Sequence, residues 1–236
     1  MAGVYVHIPF CASRCSYCDF FSTLELKDTG APYVEAVVME AALRRTELRG
    51  EQLRTLYLGG GTPSQLPLPL LERLVTGLNE VLDLSGVEEF TIEANPDDVT
   101  AEWCAALRPL GVNRVSMGVQ SFEDPILRAI GRRHNARQVI KAMENLHAAG
   151  ITNVSIDLIY GLPGQTLDSW TRTVEQAIAL NPQHVSAVRA SGDGWLCIGH
   201  LARRHDQGAR FRGYVQLYDA YEVRRHLFPA GWQLHA

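Results

Sequence analysis

Six short runs rich in β-branched and aromatic residues recur along the first 190 residues, and a stretch with helical periodicity separates each from the next. That alternation constrains the chain more than any other feature. Strands separated by helix-length connections pair in parallel, with the helices as crossovers. The expected strands are Val4–Ile8, Thr55–Leu58, Glu89–Ala94, Asn113–Val119, Val154–Ile159 and His184–Val188. Ala31-Pro32 is expected to open the first helix, since proline suits the first helical position. Val34, Val37, Val38, Ala41 and Ala42 make its apolar stripe, and Gly50 is its stop. The second helix carries Leu70, Leu71, Leu74, Val75, Leu78 and Leu82 on one face.

Capping residues mark the later helices. Thr100 precedes a short helix to Leu107, and another short helix lies near Pro125–Ile130. Asn135 caps a helix over 136–149 with Val139, Ile140, Met143 and Leu146 as its buried stripe, and Gly150 terminates it. Thr166 caps a helix to Leu180 that Asn181-Pro182 ends. Six such units make either an open doubly wound sheet or a partial barrel. In both, ligands bind at the carboxyl ends of the strands. The glycine-rich, acidic and polar segments fall at those ends: Cys11–Cys18, Gly59–Pro63, Glu93–Asp97, Gln120 and Asp157–Gly161.

The pattern breaks near Arg189. Residues 189–200 have no clear period, and Leu201–Gln207 is polar and basic. A helix is expected to resume around Tyr214–Leu227, with Val215, Leu217, Tyr218, Tyr221 and Val223 as its buried positions. The sequence stops at Ala236, shortly after Gly231-Trp232, which is abrupt for a finished domain. The expected division is a core over 1–188 and a divergent segment over 189–236 that begins a truncated C-terminal region.

Composition removes several classes of function. A net charge of −4 and the lack of a basic run interleaved with aromatics argue against nucleic-acid binding. No apolar run approaches a membrane span, and the N-terminus has no secretory pattern. The five cysteines are odd in number and mostly clustered, which argues against a disulfide scaffold and for a reducing cytoplasm.

The cluster is Cys11-Ala12-Ser13-Arg14-Cys15-Ser16-Tyr17-Cys18, directly after the first strand. Thiolates are soft ligands suited to iron–sulfur clusters and to zinc. A structural zinc site wants four protein ligands. Three thiols without a local fourth fit a cubane with one iron left open, shielded by Phe10, Tyr17, Phe20 and Phe21. A zinc-stabilised interaction module, completed by His7 or Cys104, is the alternative. Glu93 and Asp157 end apolar strands, where an unpaired carboxylate is costly and so marks a site. Gly59–Gly61 also reads as a plain strand-to-helix turn, and Arg132 as a surface charge. His7 and His134 read as hydrogen-bonding structural residues and Cys104 as buried packing. Cys197 has no assigned role.

Taken together, the Cys-x3-Cys-x2-Cys loop, Tyr5-Val6-His7-Ile8-Pro9-Phe10-Cys11, Gly59-Gly60-Gly61-Thr62-Pro63, Ser116-Met117-Gly118-Val119-Gln120-Ser121-Phe122 and Asp157-Leu158-Ile159-Tyr160-Gly161-Leu162-Pro163 carry a resemblance. In that order they resemble the oxygen-independent coproporphyrinogen III oxidase family of the radical S-adenosylmethionine (SAM) superfamily, over roughly residues 3–187. The resemblance implies a partial (β/α)6 TIM-like barrel. It implies a [4Fe-4S] cluster on Cys11, Cys15 and Cys18 that cleaves SAM to a 5′-deoxyadenosyl radical. It also implies SAM contacts from Tyr5, Tyr17, Gly60, Gly61, Thr62, Glu93, Gln120, Arg132 and Asp157.

Two departures matter. Position 20 is Phe where the oxidases of the family carry a further cysteine, which resembles the family's heme-chaperone branch. That branch implies heme or porphyrin as ligand, an electron donor such as a flavodoxin, and heme-accepting respiratory proteins. The alternative is a coproporphyrinogen III dehydrogenase of heme biosynthesis. The family's C-terminal His-Asn-x-x-Tyr-Trp motif, associated with heme binding, is absent from this sequence.

Overall fold

The computed structural model describes residues 2–190, together with the backbone of 197–203 and 232–235. Its centre is a sheet whose strand order follows the chain: β1 (Ala2–Ile8), β2 (Leu53–Gly60), β3 (Glu89–Ala94), β4 (Arg114–Gln120), β5 (Asn153–Tyr160) and β6 (His184–Arg189), all pairing in parallel. The helices are α1 (Leu26–Arg44), α2 (Leu68–Leu82), α3 (Ala101–Leu107), α4 (Asp124–Ala129), α5 (Ala136–Ala148) and α6 (Leu167–Ala179). Two further strands, β7 (Cys197–Arg203) and β8 (Trp232–His235), extend the sheet antiparallel beyond β6. The segment expected to be irregular therefore contains a strand. Its pairing comes from backbone bonds to β6, a long-range partner that local periodicity does not reveal. The helix expected at Tyr214–Leu227 lies outside the described residues. Among the described residues no helix is long and apolar enough to cross a membrane.

Each strand alternates. Leu56, Leu58, Ile92, Val115, Met117, Val154, Ile156 and Leu158 are buried, and they form one core with Leu71, Leu74 and Leu78 of α2, Val139 and Leu146 of α5 and Val174 of α6. Each such leucine contributes about 1.5–3 kcal/mol relative to exposure. The intervening positions carry Tyr57, Gly59, Thr91, Glu93, Ser116, Gly118, Ser155 and Asp157 on the opposite face. A parallel sheet covered on both faces would read as continuous apolar runs. Polar alternation in parallel strands therefore marks a face committed to something other than packing.

Three caps fall where the sequence puts them. Thr100 accepts from the Trp103 amide, and Asn135 and Thr166 both form capping boxes. Gly150 is left-handed at φ 76°. Two expectations fail. α1 begins at Leu26, so Pro32 lies inside it rather than at its start. Leu26 packs against the core and the Thr29 hydroxyl bonds the Glu25 carbonyl, and tertiary packing outweighs the proline signal. Ala42 and Ile140 are exposed, Ile140 at 43%, and Ala142 takes the buried place on α5.

Candidate functional site

The carboxyl ends of β1 to β5 form a mouth, and the cysteine loop lies across it. The loop is closed at its base, where Cys11 N donates to the Thr23 carbonyl at 2.9 Å and Thr23 N to that of Pro9 at 2.8 Å. Gly61 N donates to the Ile8 carbonyl and Thr62 N to that of Phe10, both at 2.8 Å, so the glycine run fastens the loop to β2. A Cβ on Gly61 would fall 2.7 Å from the Pro9 carbonyl carbon, an approach that glycine alone permits. The His7 ring lies 2.9 Å through Nε2 from the Phe21 carbonyl and so holds the far end. On the opposite side, Ser16 N donates to the Ile130 carbonyl and Gly131 packs on the backbone of Arg14 and Cys15.

Cys11 and Cys15 are partly exposed and Cys18 is exposed. Thr62 Oγ1 donates to Cys11 Sγ at 3.5 Å, and an Arg132 Nη1 donates to Cys15 Sγ at 3.7 Å. Partial burial pushes the Cys18 thiol up, the Phe20 amide pulls it down, and Cys15 and Cys11 add to the rise. Among the described residues no three His, Cys, Asp or Glu side chains are gathered at metal-ligand spacing, so the thiols share a loop rather than a preformed cage. Cys104 is buried in α3, its thiol pushed up to about 11 by burial.

Behind the loop the polar residues form three groups. In the first, Tyr57 stacks on Tyr5 at 5.7 Å between centroids and donates to Glu93 Oε1 at 2.7 Å. Gly60 N donates to Glu93 Oε2 at 3.0 Å. Burial raises the Glu93 carboxyl, and these donors, with His7, oppose the rise. In the second, Arg132 Nη2 donates to Asn95 Oδ1 at 2.6 Å and to the Gly118 carbonyl. A Cβ on Gly118 would lie 3.0 Å from Gln120 Nε2, 3.3 Å from Arg132 Nη2 and 3.7 Å from Asn95 Oδ1. Three polar groups thus converge where a side chain would stand. Burial opposes charge on Arg132, yet Tyr17 and Cys15 hold its pKa above the ordinary value, and its Nε is buried without a partner. In the third, Ser116 Oγ donates to Asp157 Oδ2 at 2.8 Å and Ser155 Oγ to Oδ1 at 3.4 Å. Burial lifts the Asp157 carboxyl to about 6. Sheet register joins the groups, pairing Glu93 with Ser116 and Gly118 with Asp157.

The expected site residues are therefore brought to one mouth, with some differences in detail. Tyr17 packs on Ile126, Ile130, Ile159 and Leu162, and burial raises its phenol. Phe10 is buried against Tyr33 rather than over the thiols, while Phe20 and Phe21 are 66% and 77% exposed. The sequence reading missed Tyr57, Asn95, Ser116 and Ser155. Tyr57, Asn95 and Ser155 each stand two residues from a position that it did single out, and Ser116 opens one of the quoted motifs.

This donor set fits the group that the motifs imply. The thiols meet hydrogen-bond donors, and carboxylates stand ready for an ammonium or ribose hydroxyls. The buried Arg132 Nε lacks the acceptor that a carboxylate supplies. The radical SAM superfamily model matches residues 5–177. This chain belongs to the radical SAM superfamily. It is 46% identical over 187 residues to the heme chaperone HemW of Lactococcus lactis, covering 78% of this chain and 48% of that protein. It is 40% identical over 187 residues to HemW of Bacillus subtilis, covering 79% and 49%. Among solved structures, coproporphyrinogen III oxidase (HemN) from Escherichia coli, a radical SAM enzyme, superposes with a TM-score of 0.72 at 31% identity, over 79% of this chain and 43% of that one. The fold is the TIM-like partial barrel of that class. The chain spans about half the length of the curated relatives it matches.

Proposed function

We propose that this chain is the radical SAM core of a heme chaperone, over residues 1–188, with 189–236 beginning the region that follows the core in its relatives. Cys11, Cys15 and Cys18 would hold a [4Fe-4S] cluster with one iron open. Gly60, Gly61 and Thr62 would face the methionine ammonium with their carbonyl side, because their amides are already committed to Glu93 and to the Ile8 and Phe10 carbonyls. Glu93 would pair with that ammonium, Arg132 would take the methionine carboxylate, and Asp157 and Gln120 the ribose. Tyr5 and Tyr17 would flank the cofactor. The cluster, when bound, supplies an electron for cleavage of SAM, and the chain's own residues orient the cofactor and exclude water.

The observation that carries the reading is the pair of donors, Thr62 and Arg132, placed on the sulfurs of Cys11 and Cys15 at the mouth where Glu93 and Asp157 lie. Phe20, exposed at the position where the family's oxidases carry a further cysteine, supports the chaperone side. So do the names of the two curated relatives. The test is direct. Anaerobically reconstituted protein is mixed with SAM, a reductant and coproporphyrinogen III, and separately titrated with hemin. The expected result is a saturable shift of the heme absorbance with the tetrapyrrole's propionates left intact by mass spectrometry. Conversion to protoporphyrinogen IX at enzyme-like rates would move the assignment to the oxidase.

A further inference from the structure

β4 ends in an unusual way. Gln120 is a non-glycine residue at φ 67°, and the β4–β5 register slips between Gly118 and Gln120. Left-handed backbone costs on the order of 1 kcal/mol for such a residue and persists only where its surroundings hold it. Across the turn, Ser121 N donates to the Val119 carbonyl at 2.8 Å. The same carbonyl lies 3.0 Å from His134 Nε2. A carbonyl only accepts, so Nε2 carries the proton and the neutral ring leaves Nδ1 bare. Nδ1 is buried without a partner. His134 is 3% exposed, burial depresses its pKa to about 3, and Arg132 adds to the depression while Val119 and Asp124 oppose it. One loop therefore supplies both clamps on the end of the strand. Arg132 takes the Gly118 carbonyl and His134 the next one. α6 braces the turn from the other side, where Thr173 Oγ1 receives Phe122 N and meets Ser121 Oγ at 3.3 Å.

We propose that His134 is a positioning residue for cofactor binding: by holding the Val119 carbonyl it fixes the strained turn that aims the Gln120 carboxamide beside Arg132 over Gly118. The claim deepens the proposed function, since it rests on Gln120 and Arg132 as SAM contacts. A purely structural histidine would affect melting alone.

The test compares His134→Ala with His134→Gln, whose amide nitrogen reaches the same carbonyl. Two measurements are made. In the metal-free chain, hydrogen exchange at the Ser121 amide reads the turn itself. His134→Ala should speed it on the order of tenfold relative to the core amides, and His134→Gln should restore it, as expected for one lost buried hydrogen bond. In the reconstituted protein, SAM affinity by equilibrium dialysis should fall about tenfold in His134→Ala and recover in His134→Gln, with iron content unchanged. Wild-type exchange in His134→Ala overturns the proposal. So does unchanged affinity alongside a lowered melting temperature. Should the wild-type protein bind no SAM, the proposed function fails, while the exchange comparison still decides whether His134 holds the turn.

Discussion

Gly118→Ala is a sharp perturbation because the added methyl has a known address. It would stand 3.0 Å from Gln120 Nε2 and 3.3 Å from Arg132 Nη2. Arg132 is anchored by Asn95 and by the Gly118 carbonyl, bonds to a charged group worth about 1.5–3 kcal/mol each. The Gln120 carboxamide is the free end of a flexible side chain, so it yields. The expected cost in stability is about 1–2 kcal/mol, the usual scale of a single overpacked methyl, or roughly 2–8 °C in melting temperature for a chain of this size. SAM affinity should fall about five- to tenfold as the carboxamide is displaced, one neutral hydrogen bond's worth. Gly150→Ala is the matched control. At φ 76° with nothing within 4 Å, it should cost about 1–2 kcal/mol through backbone strain alone. Differential scanning calorimetry and equilibrium dialysis on both variants separate the effects. Equal SAM affinity in Gly118→Ala and Gly150→Ala would refute the convergence over Gly118.

Three further outcomes follow from the same geometry. The Asp157 carboxyl is raised from 3.8 to about 6, so the folded chain holds this proton more tightly than the unfolded one. The resulting penalty accrues as pH rises from about 4 to about 6 and stays constant above. Asp157→Asn should therefore gain melting temperature over wild type across that window and then plateau, and a pH-independent difference would contradict the assignment. Cys104→Ser buries a hydroxyl in an apolar site, expected to cost about 1–3 kcal/mol, while iron bound per chain stays at the wild-type level. A loss of iron would make Cys104 a ligand. Thr62→Val removes the donor to Cys11 Sγ at 3.5 Å and should make the cluster's midpoint potential more negative in a redox titration. An unchanged potential would separate Thr62 from the cluster.

Much of the fold was legible because local chemistry and tertiary structure agree. Thr100, Asn135 and Thr166 announce helices that begin one residue later, and the strand cores are apolar at every second position. The start of α1 was not legible, because Leu26 gains from a core that the sequence does not display, whereas Pro32 and Gly30 signal locally against helix. β7 was hidden for a similar reason, since its partner β6 supplies the hydrogen bonds. At the site, the motif residues themselves were legible, but their supports were not. Asn95, Tyr57, Ser116 and Ser155 are ordinary polar residues until the register of β2 to β5 sets them beside Arg132, Glu93 and Asp157. The signal available was the polar stripe at every second position inside parallel strands, out of place in a sheet buried on both faces. Gln120 gives no sequence hint of its left-handed backbone, which is held by Arg132 and His134 on one side of the turn and Thr173 of α6 on the other.

The central claim is that the loop from Cys11 to Cys18 holds an iron–sulfur cluster with an open iron facing SAM. Electron paramagnetic resonance of the anaerobically reconstituted, reduced protein, with and without SAM, tests it most directly. The predicted result is about four iron and four sulfide per chain, with a reduced-cluster signal that changes when SAM is added and is lost in Cys15→Ser. One zinc per chain with no acid-labile sulfide, or a cluster signal indifferent to SAM, would contradict it.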